Sequence, residues 1–174
     1  MTVTNPNHHS PETISGSWRL DRSRSSAEFR VGVLWGLSTV KGRFDGRDGR
    51  LDLSADPAIE LTIDAASLDT GHRKRDKHLR SADFFDAART PQVRFVSESV
   101  VPQDGTLTVR GSLFARGRSI PLELDAEVRR VGEELGIKAA TSAPHRELGM
   151  TWNRLGSVGS SSELLIRGYL VPTG

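Results

Sequence analysis

From Gly16 onward, apolar and polar residues alternate with the two-residue period of a strand that has one buried and one wet face. Trp18 and Leu20 flank Arg19. Ala27, Phe29, Val31 and Val33 alternate with Glu28, Arg30 and Gly32, and Val40 and Phe44 with Lys41 and Arg43. Ile59, Leu61 and Ile63 form the next run, followed by Val93 and Phe95, then Leu107, Val109 and Leu113. Ile120, Leu122 and Leu124, then Leu135, Ile137 and Ala139, then Leu164, Ile166, Gly168 and Leu170 carry the pattern to the end. Turn signals stand at Asp45-Gly46, Asp48-Gly49, Asp104-Gly105 and Arg116-Gly117. Many short strands at even spacing predict an all-β antiparallel protein, a sandwich or a barrel, and the pattern alone does not separate the two. No repeat or internal linker interrupts residues 16–172, which reads as a single domain. Residues 1–15 are polar, include Pro6 and Pro11, and predict a disordered tail.

Two segments break the strand rhythm. Residues 65–91 form a long connection, the kind that in compact domains serves as a lid or a plug. Within it Arg73 to Ser81 predicts a short helix, with Asp69 or Thr70 as its cap. On that helix His72, Asp76 and Leu79 share one face, and Arg73, Lys77 and Arg80 another. Phe84 and Phe85 follow it and predict a plug beneath the connection, with at least one of them buried. The second departure, Pro144 to Ser162, contains Met150, Trp152 and Leu155 and reads as an irregular loop with one helical turn.

Composition narrows the functional classes. The 174 residues suffice for one domain, in which folding buries roughly 70% of the chain's surface. With no cysteine, disulfides, thiolate metal sites and a Cys nucleophile are excluded. A net charge of +2 does not point to nucleic acid. No run of apolar residues is long enough for a membrane-spanning helix, so no stable membrane insertion is expected. The first 15 residues lack an apolar core of the secretory type, which predicts a cytoplasmic protein. His8 and His9 read as tail histidines rather than as a metal pair. No Gly-rich phosphate loop precedes a helix. Ser160, Ser161 and Ser162 have no adjacent base in the sequence.

Several pieces resemble, in order, the YceI-like family of lipid-binding proteins. They are Trp18-x-Leu20-Asp21, Ser26 with Phe29-x-Val31, Val40-x-Gly42-x-Phe44, and Ser67-Leu68-Asp69-Thr70-Gly71 with Arg75-Asp76-x-His78-Leu79. Ser81-Ala82-Asp83-Phe84-Phe85-Asp86, Pro91-x-Val93-x-Phe95-x-Ser97, Gly111-x-Leu113 and Arg146-Glu147-Leu148-Gly149-Met150 complete the set. The run Ser67 to Asp86 is the most specific of these. The resemblance implies an antiparallel lipocalin-like β-barrel of about eight strands, with the short helix in the connection 65–91. It also implies a long apolar cavity for an isoprenoid chain, such as an isoprenoid quinone or a prenyl phosphate. Many members of the family are periplasmic. Leu148 departs from the pattern, because an aromatic is commoner there.

With that resemblance, the expected ligand-binding residues are Phe29, Val31, Val33, Trp35, Val40, Phe44, Leu68, Leu79, Phe84, Phe95, Leu113, Met150 and Trp152. Arg75, Arg80 and His78 are the expected headgroup residues, because guanidinium forks suit phosphate. Arg73, Lys74 and Lys77 read as a solvated helix face. The small inward positions Ala27, Gly42, Gly111, Ala139 and Gly168 leave room for a chain or permit close strand packing, and pattern alone leaves both open. His72, Asp76 and His78 are too few for a metal site, and His145 is remote from them in sequence. No catalytic residue and no cofactor are expected beyond a bound isoprenoid or fatty lipid. The expected partner is a long-chain apolar small molecule, with a homodimer as a further possibility. An enzyme acting at the barrel mouth through His72, Asp76 or His78, and a filled barrel with a structural role, are the alternatives.

Overall fold

The computed structural model describes residues 13–45 and 47–174, with the Arg154 side chain excepted. The tail expected over residues 1–15, with His8 and His9, therefore lies outside the described residues up to position 12. Ile14 already packs against the core, and Ser15 accepts a 3.2 Å hydrogen bond from Trp18 Nε1.

Among the described residues, eleven strand segments and one α-helix follow in order: β1 (Ser17–Leu20), β2 (Ser26–Val33), β3 (Ser38–Phe44), β4 (Arg47–Asp52), β5 (Ala58–Asp64), β6 (Leu68–Asp69), α1 (Arg73–Arg80), β7 (Gln92–Gln103), β8 (Thr106–Ala115), β9 (Arg118–Val131), β10 (Glu134–Ala143) and β11 (Ser162–Pro172). All pair antiparallel, in the order β1-β4-β5-β7-β8-β9-β10-β11, and β11 pairs back onto β1. The sheet is therefore a closed eight-stranded barrel. The extra segments are continuations of bent strands. β1 and β2 lie on the same edge of β11, with Leu20 opposite Leu170 and Ala27 opposite Ile166. β3 and β4 pair with β2 and β1 in turn, and β6 extends the path of β5 along β3.

The bends have identifiable causes. Between β1 and β2, the Ser25 side chain occupies the space above Gly168, where an added Cβ would lie 2.0 Å from Ser25 Oγ. Arg47 then joins the two bends. Its guanidinium donates to the carbonyls of Arg22 and Ser25 in the first bend and of Phe44 and Asp45 in the second. These carbonyls lie at or beside the two breaks in the ladder; those of Ser25 and Phe44 are part-buried, where an acceptor without a donor is costly, and those of Arg22 and Asp45 are exposed. Arg24 adds a forked bond to Glu134 across the bend, and Ser23 and Arg24 hold the Asp21 carboxyl down to about 2.

Two turn signals form true hairpin turns, at Asp104-Gly105 and Arg116-Gly117, each with both residues at positive φ. Asp48-Gly49 is not a turn. It lies inside β4, where Asp48 pairs with Thr62 and Gly49 with Leu61, and this ladder, joined by that of β1 from Arg50 on, overrides the local preference. Asp45 falls at a bend rather than in a hairpin; Gly46 is outside the described residues.

The turns at 53–57, 104–105 and 132–133 gather at one end, and the Arg116-Gly117 turn lies at the other. Trp18, Leu53, Val100, Leu107 and Leu135 fill this turn end. The other end carries the hairpin tip 34–37, the connection 65–91 and the loop 144–161.

The glycines noted above resolve into one role. A Cβ at Gly42 would lie 2.3 Å from the Phe29 ring, and one at Gly111 would lie 2.3 Å from the Val96 carbonyl oxygen and 2.8 Å from Ser97 Cα. Aromatic rings cover these glycines, so close packing is their function, while Ala27 and Ala139 face open space. Gly111→Ala is expected to cost about 2 kcal/mol, a drop of roughly 4–8 °C in thermal midpoint, because backbone atoms must move. A midpoint equal to that of the parent protein would contradict this account.

Candidate functional site

The barrel is hollow. Its axis holds a cavity of about 200 Å³, running from Leu20 and Leu170 near the turn end to Phe84 and Met150 at the loop end. Inward-facing residues of a filled barrel would all be buried. Here Leu61, Ile63, Leu124, Ile137, Leu164 and Ile166 face inward yet stay half-exposed, because they border the cavity. Alternation along β5, β9, β10 and β11 produces this wall, with Glu, Lys and Arg on the outer face.

Three elements cover the loop end. α1 lies across it, capped by His72, whose Nδ1 accepts from the Arg75 amide at 3.4 Å. Asp69 and Thr70, the expected caps, do other work. Asp69 accepts from the Gly71 amide, and Thr70 donates its amide and hydroxyl to the buried Asp76 carboxylate. Asp76 thereby ties α1 to the end of β6, and Leu79 drops into the cavity. The loop 144–161 meets the helix where Trp152 stacks edge-on against His78, with centroids 4.5 Å apart, and against Phe84. The hairpin tip leans on that loop through the Trp35 amide, which donates to the Ser157 carbonyl at 3.3 Å. Leu34 and Trp35 of the tip and Leu155 of the loop all hold positive φ.

Of the expected ligand-binding residues, Phe29, Val31, Phe44, Leu79, Phe84, Phe95, Leu113 and Met150 line the cavity. Leu68 is fully buried behind them, and Val40 packs beside it. Val33 stands on the hairpin, Trp35 is 70% exposed at its tip, and Trp152 sits on the outer rim at 38%. Phe85 lines the wall and packs edge-on against Phe44 at 5.6 Å. The headgroup residues face elsewhere. Arg75 is bonded to the Thr70 hydroxyl and carbonyl, Arg80 to the Leu68 carbonyl, and His78 Nε2 to Asp83 at 2.9 Å. Each of them holds the connection together.

The wall contains one polar pair that the sequence did not bring together. Ser162 has an adjacent base after all, because its Oγ lies 2.8 Å from His145 Nδ1 and both residues line the cavity. Pairing of Ala143 with Ser162 in the β10–β11 ladder brings the two segments together. Burial first, and Arg146 second, hold the His145 pKa below its ordinary 6.5, against an opposing hydrogen bond to the Gly159 backbone. Below 6.5 the unfolded chain takes up a proton that folded His145 refuses, so stability falls as pH drops from 6.5 to the folded value. The thermal midpoint is therefore expected to fall between about pH 7 and 5, and to fall less in His145→Gln. Parallel profiles for the two proteins would refute this.

A closed, hollow, antiparallel eight-stranded barrel with an apolar lining belongs to the class of small barrels that enclose a cavity rather than a solid core. Within that class, the chain belongs to the YceI-like domain family, whose model matches residues 18–168. It is 39% identical over 119 residues to a UPF0312 protein of Vibrio cholerae, covering 64% of this chain and 61% of that protein. The match thus spans about three fifths of that relative's length. It is 31% identical over 166 residues to Protein YceI of Salmonella arizonae, covering 88% and 85%. Its fold matches that of a polyisoprenoid binding domain from Saccharophagus degradans with a TM-score of 0.73, 14% identity and coverage of 91% and 99%.

Proposed function

We propose that the protein is a non-enzymatic carrier or store that holds an isoprenoid, or a similar long apolar lipid, inside its barrel. The observation that carries this reading is the apolar cavity along the barrel axis, bordered in part by half-buried side chains such as Leu61, Leu124 and Leu164. Every 100 Å² of apolar ligand surface removed from water is worth about 2.5 kcal/mol, so a long chain needs no precise polar contact to be retained. The polyisoprenoid binding of the Saccharophagus degradans domain points the same way. Mass spectrometry of the gently purified protein, in its native state and after solvent extraction, tests the proposal. A co-purifying apolar molecule near one per chain is expected. A protein that stays empty when offered long-chain lipids would overturn the proposal.

A further inference from the structure

The large apolar side chains left in water are concentrated at one end of the barrel. Among the described residues eight are exposed, and six of them, Leu34, Trp35, Leu37, Phe114, Trp152 and Leu155, stand at the loop end. The other two, Val101 and Val131, stand at the turn end. Leu37 and Leu155 are 87% and 82% exposed, so neither contributes packing to the fold. Leu34, Trp35 and Leu155 also hold a left-handed backbone, which is costly for bulky residues. Costly backbone beneath exposed apolar side chains points to a surface kept for contact rather than for folding. The hairpin tip and the loop are presented together, because the Gly159 amide donates to the Gly32 carbonyl at 2.8 Å and the Trp35 amide to that of Ser157.

Charge separates the two ends as well. Segments 71–91, 116–118 and 144–161, which complete the loop end, hold ten of the chain's 24 Lys and Arg but only four of its 22 Asp and Glu. The whole chain carries +2, so the remainder is net acidic. Of the four acids, Asp76 is buried and bonded to Thr70, and Asp83 pairs with His78. Arg73, Lys74 and Lys77 of α1 are exposed and, among the described residues, take part in no ion pair. A second copy meeting this patch about a twofold axis would set like charge against like charge. A bilayer with anionic headgroups answers both features. Tryptophan and leucine at a protruding tip suit the headgroup layer, and the basic residues around them suit its phosphates.

We propose that the loop end is a docking surface for an anionic lipid bilayer. The tip 34–37 and Leu155 enter the interface, and Arg73, Lys74 and Lys77 rest on the headgroups. The contact is interfacial rather than spanning. Phe84 and Met150 border the cavity at this same end, so docking sets that end of the barrel on the lipid. Docking does not require a filled cavity, so it stands or falls separately from the carrier reading.

Flotation of the full chain with vesicles tests the proposal, using phosphatidylcholine alone and phosphatidylcholine with roughly one third phosphatidylglycerol. The protein is expected to float with the anionic vesicles, more weakly as salt is added, and poorly with the neutral ones. Trp35→Asn/Leu155→Asn supplies residues that accept the left-handed backbone and is expected to weaken binding about tenfold or more. Lys74→Glu/Lys77→Glu is expected to weaken it about as much, through charge alone. Val101→Asn, at the turn end, is expected to stay within about twofold of the parent. Thermal midpoints of the variants establish that each is folded. A parent protein that does not float with anionic vesicles at low salt would overturn the proposal. So would undiminished binding by either folded double variant, or an equal loss in Val101→Asn. A dimer in sedimentation equilibrium that Trp35→Asn/Leu155→Asn dissolves would also overturn it, because the patch would then belong to a second copy.

Discussion

Arg47→Ala is expected to lower stability by about 4 kcal/mol, a fall of roughly 8–16 °C in thermal midpoint. The arginine is the donor to four carbonyls, two in each bend of the β1/β2 and β3/β4 strands. Hydrogen bonds to a charged donor are worth more than neutral ones, and truncation also strands the part-buried Ser25 and Phe44 carbonyls. Lysine restores the charge but not the planar fork, so Arg47→Lys is expected to recover less than half of the loss. Thermal or denaturant unfolding of the three proteins measures both effects. Equal stability of Arg47→Ala and the parent would mean that water satisfies those carbonyls and that the bends need no staple.

Ala139→Trp should leave the barrel folded and remove most ligand retention. Ala139 faces the cavity between Ala126 on β9 and Ile166 on β11, so an indole there projects into empty space. Filling a cavity lacks the strain of overpacking a dense core. If the ring displaces roughly 100 Å² of ligand contact, the loss is about 2.5 kcal/mol, or near 70-fold in affinity. Lys138→Trp, one residue earlier and on the exposed outer face, is the control and should bind as the parent does. Unchanged retention in a folded Ala139→Trp protein would place the ligand outside the barrel.

The strands were legible because each buries one face, and Leu107-Val109 or Ile120-Leu122 declare that period locally. The helix was legible too, from the charge cluster in residues 73–80. Closure was not, because it depends on β11 meeting β1 and β2 across some 150 residues of chain. The bends were invisible for the same reason: Ser25, Arg47 and Gly168 make them only once three strands are assembled. Asp48-Gly49 misled, since a dipeptide's turn preference is weak against the β5 ladder that pairs both residues. At the site, the aromatic and aliphatic wall followed from alternation. Ser162 and His145 did not, since 17 residues separate them and only the strand register brings them together. The arginines of the helix looked available because sequence shows their charge and not the carbonyls they occupy.

The three tryptophans divide the molecule between its two ends. Trp18 is sealed in the turn end, Trp35 stands in solvent on the hairpin tip, and Trp152 stacks on His78 at the rim. Intrinsic fluorescence therefore carries spatially separate signals without any added dye. Single Trp→Phe replacements would sort the emission by position. Blue emission from Trp18 reports the closed end, while the emission of Trp152, stacked on the His78 ring, reports the other. A lipid entering the barrel would announce by colour and intensity which end had let it in.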